Sequence, residues 1–381
     1  MPMKLEVVTL ESIEVAVKGP DPTVLRLGLL VPLSGSLGLT GPSALDAAFL
    51  AVAELNSAGG VLGKPVELVL LDAGRNPIDV AAQACSLAET GLVDAFVGFH
   101  TSDVHRAVEK SVGGRTPYIY TPPHEGGTRA PGVVLMGDGP VKQLSASIDW
   151  FVQQRQVRRW ALIGNDYIWP RAVHQAAGPL IRAAGGAVLL ERLLPMGLGA
   201  PRLDPDEMTD RILAEVARSG VDGILVSLIG RDLAVFNRVF QTSNLGSRVV
   251  RLSGSLEENG LLAAGGDYTG ELYAAMRSFA GQHDARREAL ADRYRAAFGD
   301  QAPVLDAYAE GCYDGVHLVA ALGAIGSLDA INATATASHL LREPEAVDSC
   351  RAWSKAPLGP PRGRVHLACA DGFDLVVVSD R

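Results

Sequence analysis

Eight consecutive residues, Gly164-Asn165-Asp166-Tyr167-Ile168-Trp169-Pro170-Arg171, bring two aromatics, an acid, an amide and an arginine together behind the apolar run Trp160-Ala161-Leu162-Ile163. The run reads as a buried strand, and open α/β sheets hold their ligands at the carboxyl ends of strands. Tyr167 and Trp169 therefore have two readings. Either they cap a hydrophobic core, where aromatics most often sit, or they wall a binding cleft. Asp166 and Arg171 read as a structural pair. Two other strand ends are comparably polar. Phe99-His100-Thr101-Ser102 follows the apolar stretch 94–98 and precedes a helical pattern. The amides and the Thr101 and Ser102 hydroxyls at such a helix start suit carbonyl or carboxylate oxygens, or simply supply an N-cap. Tyr120-Thr121-Pro122-Pro123-His124-Glu125-Gly126 is a strand end stiffened by two prolines. It reads as a second polar edge or as a plain turn.

Signatures of catalysis are nearly absent. The chain has no Gly-x-Ser-x-Gly elbow, no phosphate loop, no His-Glu-x-x-His and no paired-cysteine motif. Gly35, Gly38 and Gly41 are three apart, which is not the dinucleotide spacing. The eight histidines are scattered, and His100 and His105 have no convergent partners in sequence. No metal or cofactor is expected. Among the cysteines, Cys85 and Cys312 sit in apolar helical patterns as small core residues, and Cys350 and Cys369 are the only two that could pair.

Something must hold these polar ends in place, and the length of 381 residues is ample for two domains. Apolar runs at 25–31, 66–71, 94–98, 117–120 and 133–136 alternate with helical periodicity, the first helix opening at Pro42. After the turn-rich Gly137-Asp138-Gly139-Pro140 the rhythm restarts. Helix 141–155, strand 160–163, helix 171–184, strand 187–194, helix 206–219 and strand 223–228 follow, then strands near 249–253 and 270–276. Repeated βα units specify α/β lobes with mostly parallel, doubly wound sheets. The expected division is an N-terminal extension at 1–23, a first lobe of 24–139 plus 277–334, and a second lobe of 140–276 plus 335–381. Ile13 to Lys18 alternates like a strand, with a disordered leader as the other reading.

A formal net charge of −9 without a basic cluster argues against nucleic acid as a partner. No apolar run approaches the roughly 18 residues of a membrane helix. Glu6, Glu11 and Glu14 interrupt the first 22 residues, so a secretion signal is not evident and a cytoplasmic location is expected, with an extracytoplasmic one if a leader was removed.

Taken together, four segments resemble the type I periplasmic-binding-protein superfamily across nearly the whole chain from about residue 25. They are Leu55-Asn56-Ser57-Ala58-Gly59-Gly60-Val61-Leu62-Gly63, Val97 to Ser102, the Tyr120 loop and Gly164 to Arg171. His124-Glu125-Gly126 and the last segment are similar to the amide/urea branch, which contains the amide sensor of bacterial amidase operons and urea-binding proteins of ABC transporters. The resemblance implies two lobes that close over a small ligand through a hinge. Ser102 would hydrogen-bond the ligand and His100 stands where the amide sensor has a tyrosine. Tyr120 would lie at the pocket, with Tyr167 and Trp169 lining the opposite lobe and Ser227 and Leu228 adding a wall. Pro122 stands where the amide sensor has a ligand-bonding threonine, with Thr121 one place away. For an amino-acid ligand, Glu257 or Glu258 could meet the ammonium, or serve only as helix-start acids. The expected function is a non-enzymatic, cytoplasmic sensor of a short amide or urea that regulates an amide- or nitrile-degrading operon through a partner protein. The alternative is an extracytoplasmic solute-binding protein that serves an ABC permease for urea, amides or branched-chain amino acids. A homodimer stays open.

Overall fold

A computed structural model describes residues 7–197, 205–342 and 364–378, which divide into two units. The first holds residues 7–122, 127–137 and 283–342, and the second holds the remainder. In chain order the first unit begins with β1 (Thr9–Leu10), α1 (Ser12–Lys18), β2 (Leu25–Val31), α2 (Gly41–Ser57), β3 (Val66–Asp72) and α3 (Pro77–Glu89). It continues with β4 (Ala95–Gly98), α4 (Ser102–Val112), β5 (Tyr118–Tyr120) and β6 (Val133–Leu135). The second unit contains α5 (Pro140–Gln154), β7 (Arg159–Asn165), α6 (Ile168–Ala184), β8 (Ala187–Leu194), α7 (Pro205–Ser219), β9 (Gly223–Ser227), α8 (Gly230–Thr242), β10 (Val250–Ser253), α9 (Glu258–Ala264) and β11 (Leu272–Met276). The chain then supplies α10 (Ala285–Phe298), α11 (Ala307–Ala324) and α12 (Ala333–Arg342) to the first unit, and β12 (His366–Asp371) and β13 (Asp374–Val377) to the second.

The first unit's sheet runs β1-β3-β2-β4-β5-β6, every neighbouring pair parallel. All seven residues of β2 are buried, as expected of a central strand covered on both faces. A core of Val69, Leu71, Phe96, Val104, Val108 and Tyr118 fills the space under α3 and α4. The second sheet runs β13-β12-β11-β10-β9-β7-β8, parallel except where β12 and β13 add antiparallel strands at one edge. Both sheets are thus mostly parallel, and the α/β class read from the sequence holds.

Three expectations need correction. The segment from Ile13 to Lys18 is helical, not a strand; Glu11 and Glu14 close a capping box at its start, so local hydrogen bonding outweighs the alternating pattern. Residues 277–282 stay with the second unit, where Arg277 pairs with Asp138 at 2.7 Å and Gln282 meets His366 at 3.1 Å. For the same reason 138–139 and 123–126 belong there, with the His124 amide donating to the Asp138 carbonyl. Conversely α12 belongs to the first unit, where the Thr334 hydroxyl accepts from the Gly132 amide at 3.0 Å. Cys350 lies outside the described residues. Among those residues no helix is long and apolar enough to cross a membrane.

The second unit contains a charge pair with no solvent contact. Arg251 on β10 and Asp267 are both 0% exposed, with Nη2 and Oδ2 2.8 Å apart. The same guanidinium donates to Asn237 and Thr269 and lies 4.7 Å over the Phe240 ring. These partners offset the desolvation that an isolated buried pair would suffer. Arg251→Ala strands Asp267, so unfolding in denaturant is expected to show a loss of about 3–5 kcal/mol. A loss under about 1 kcal/mol would contradict this reading of the pair.

Candidate functional site

At the carboxyl end of β4 the chain turns through Phe99-His100-Thr101 into α4. Phe99 stacks on Tyr308 with ring centres 4.2 Å apart. His100 is buried, and its Nδ1 sits 3.1 Å from the Thr101 carbonyl. A carbonyl only accepts, so Nδ1 carries the proton and Nε2 accepts from the Tyr118 hydroxyl at 2.8 Å. The Tyr118 oxygen then accepts from His105 Nδ1 at 3.1 Å. Burial pushes the His100 pKa down to about 4, so the ring is neutral at ordinary pH. The Tyr120 hydroxyl donates to the His100 carbonyl at 2.8 Å, and its ring stacks on His105 at 4.0 Å. Thr121 donates to the Gly98 carbonyl at 3.2 Å, and Pro122 is buried. The polar groups of His100, Tyr120 and Thr121 are thus engaged by the chain itself.

Ser102 differs. It opens α4, is 1% exposed, and its Oγ has no hydrogen-bond partner. Thr101 occupies the N-cap position without a side-chain cap bond. The edge of the first sheet therefore offers a buried hydroxyl beside the amides of a helix start, a donor set suited to an anionic or carbonyl oxygen.

In the second unit the motif from Gly164 to Arg171 divides between strand and helix. Asn165 ends β7 and is fully buried; its Oδ1 accepts from the Ile229 amide at 2.9 Å and its Nδ2 donates to Asp232 at 2.7 Å. Asp166 and Arg171 form the expected surface pair. Tyr167 is half-buried at the N-cap of α6. Trp169, in the first turn, is 5% exposed, and its indole Nε1 has no acceptor. Leu228 is wholly buried, its carbonyl accepting from Ser255 at 2.7 Å. Glu257 accepts from the Asn259 and Gly260 amides and so caps α9, the helix-start role. Ser227, at the end of β9, bonds His174 Nε2 at 2.9 Å, and His174 Nδ1 meets Glu191 at 3.0 Å. Sequence reading missed His174 and Glu191; the one local signal was Gly164, whose lack of a side chain opens the space where His174 meets Ser227. Elsewhere in the first unit, Arg129, Pro131, Ile331, Thr334 and His339 help line a surface groove of about 600 Å³ that contains none of the expected site residues.

Two substitutions separate structural from available groups. Tyr118→Phe leaves His100 Nε2 and His105 Nδ1 without their shared hydroxyl, and chemical denaturation is expected to show a loss of about 1–3 kcal/mol. Ser102→Ala breaks no internal bond and removes a buried donor that has no partner, so it is expected to raise the stability of the free protein by up to about 1–3 kcal/mol. Equal effects from the two would undo the distinction. Acid adds a third check. The folded-state pKa of His100 is depressed, so its contribution is present above the unfolded value near 6.5 and is lost as pH falls towards about 4. His100→Gln is expected to flatten the stability profile across that window, and an unchanged slope would contradict the assignment.

Comparison with known proteins agrees with the α/β fold. A family model described as "Periplasmic binding protein" matches residues 24–346. The isoleucine complex of the branched-chain amino acid transporter substrate-binding protein LivJ from Streptococcus pneumoniae is 19% identical; the match covers 94% of this chain and 100% of that one at TM-score 0.70. A solute-binding protein of an ABC transporter from R. palustris, in complex with benzoate, is 17% identical over 94% and 98% at TM-score 0.68. A fatty acid ABC transporter substrate-binding protein from Thermomonospora curvata is 17% identical over 95% and 93% at TM-score 0.72. At such identities the structures speak for the fold.

Proposed function

The chain belongs to the periplasmic binding protein family, and from that premise we propose that it is the solute-binding component of an ABC transporter, working outside the cytoplasm and holding a small solute by a carboxylate or carbonyl oxygen. It is a binding protein and not an enzyme. The observation that carries the ligand class is Ser102, a buried hydroxyl with no internal acceptor at the start of α4. A buried donor left unpaired costs about 1–3 kcal/mol, and an oxygen of the solute removes that cost. The unpaired indole N–H of Trp169 marks the corresponding edge of the second unit and asks for the same kind of atom. Solved neighbours bind isoleucine and benzoate, both of which carry a carboxylate. The solved neighbours named above are described as transporter binding proteins, and this favours the transporter reading over the cytoplasmic sensor expected from the sequence. An amide carbonyl would satisfy the same donors, which makes acetamide and urea necessary arms of the test.

A ligand that binds only the folded state raises its stability by mass action. In a thermal-shift panel of leucine, isoleucine, benzoate, acetamide and urea, a carboxylate-bearing solute is expected to raise the Tm, and Ser102→Ala is expected to weaken it about tenfold by calorimetric titration, about 1.4 kcal/mol. Stabilisation by acetamide or urea alone would return the chain to the amide branch. Full affinity in Ser102→Ala would remove Ser102 from the site.

A further inference from the structure

Glu191, His174 and Ser227 form a continuous line across the second unit's sheet. Glu191 lies on the edge strand β8, His174 on α6 above β7, and Ser227 at the end of β9. The strand between them is β7, where Gly164 pairs with Ser227 and Leu162 with Glu191. A side chain at 164 would close the line: a Cβ there would stand 2.3 Å from Ser227 Oγ and 3.1 Å from His174 Nε2. Glycine at this position lets the imidazole lie over the strand and reach both neighbours. The order of groups is that of an acyl-transfer triad, but the chain belongs to a family of binding proteins. The arrangement orients the hydroxyl.

We infer that Glu191 and His174 set the hydrogen-bonding sense of Ser227, so that at neutral pH Ser227 presents only lone pairs to a solute and selects an N–H donor such as an ammonium. The direction follows from donor and acceptor chemistry. The Glu191 carboxylate only accepts, so His174 Nδ1 carries the proton and Nε2 is a lone pair. Ser227 must then donate its single proton to Nε2 at 2.9 Å, and the Ile163 carbonyl, 3.4 Å from Oγ, goes without it. When His174 gains a proton the line inverts: Nε2 donates to Ser227, the Ser227 proton turns to Ile163, and one lone pair is lost along with the site's neutrality. Burial holds the His174 pKa below its ordinary value, so the inversion falls on the acid side of 6.5. Arg192, next to Glu191, is engaged by Glu215 of α7, Arg171 on α6 by Asp166, and Lys142 on α5 by Asp138, while Asp149 of α5 is exposed. His174 is thus a positioning residue that acts through Ser227. The assignment of Ser227 to the solute carries over the wall expected from the sequence and rests on the solute-binding reading above; the direction of the hydrogen bonds does not.

The test has two arms. In the first, ¹⁵N NMR of the histidine side chains at pH 7.5 is expected to show His174 as the Nδ1–H tautomer; an Nε2–H tautomer overturns the inference whatever the protein binds. In the second, titrations at a series of pH values from 7.5 downwards use leucine and 4-methylpentanoate, which is leucine without its ammonium. Leucine is expected to weaken progressively on the acid side of 6.5 while 4-methylpentanoate holds within about twofold, and His174→Gln, which keeps an acceptor but does not titrate, is expected to abolish the difference. A leucine pH dependence that survives in His174→Gln, or is shared by 4-methylpentanoate, overturns the selection of an ammonium. Failure of both probes to bind the unmodified protein would count against the solute reading, and the tautomer would then decide the relay alone.

Discussion

A buried donor must find an acceptor, and just beyond the carboxyl ends of β4 and β7 two do not find one among the described residues. The Ser102 hydroxyl and the Trp169 indole N–H are each withdrawn from solvent, and neither has an internal partner. Each lies in the first turn of a helix that follows the carboxyl end of a central parallel strand, β4 in one unit and β7 in the other. Parallel pairing aligns those ends along one edge of each sheet, and the following helices aim their free amides the same way. The fold thus creates two donor-rich edges, and the sequence leaves one side chain unspent at each.

Most of the polar residues near these edges do other work. His100, Tyr118, His105 and Tyr120 are linked through hydroxyls and ring nitrogens, so the backbone around Thr101 is held from both His100 ring and carbonyl. Asn165 ties the end of β7 to Ile229 and Asp232. Such hydrogen-bonded networks fix a binding edge in place and limit how far it must reorganise when a solute arrives. The same accounting separates Glu257, a helix cap, from groups available to a ligand.

Much of this was legible in the sequence. The apolar runs gave the strands because parallel-sheet strands are buried on both faces, and Val66, Ala187 and Gly223 begin strands where the pattern puts them. Ser102 and Trp169 stood out because polar and aromatic residues follow those runs directly. What could not be read was which hydroxyls and nitrogens would be used up internally. Tyr120 and His100 look like pocket residues until Tyr118 and His105, 18 and 5 positions from His100, fold against them. Glu191 and Ser227 are joined only by a histidine crossing above a glycine, a relation no linear spacing encodes. The N-terminal helix was misread because its capping glutamates outweigh a six-residue alternation.

The central proposal is that a buried donor left unspent at a strand end takes its acceptor from a solute. The indole N–H resonances of the four tryptophans test it in one spectrum. Trp160 donates to the Val157 carbonyl at 3.0 Å and serves as an internal control. On titration with a solute that stabilises the fold, the Trp169 indole proton is expected to move downfield as it gains an acceptor while that of Trp160 stays in place. A bound solute that leaves the Trp169 resonance where it was would contradict the account.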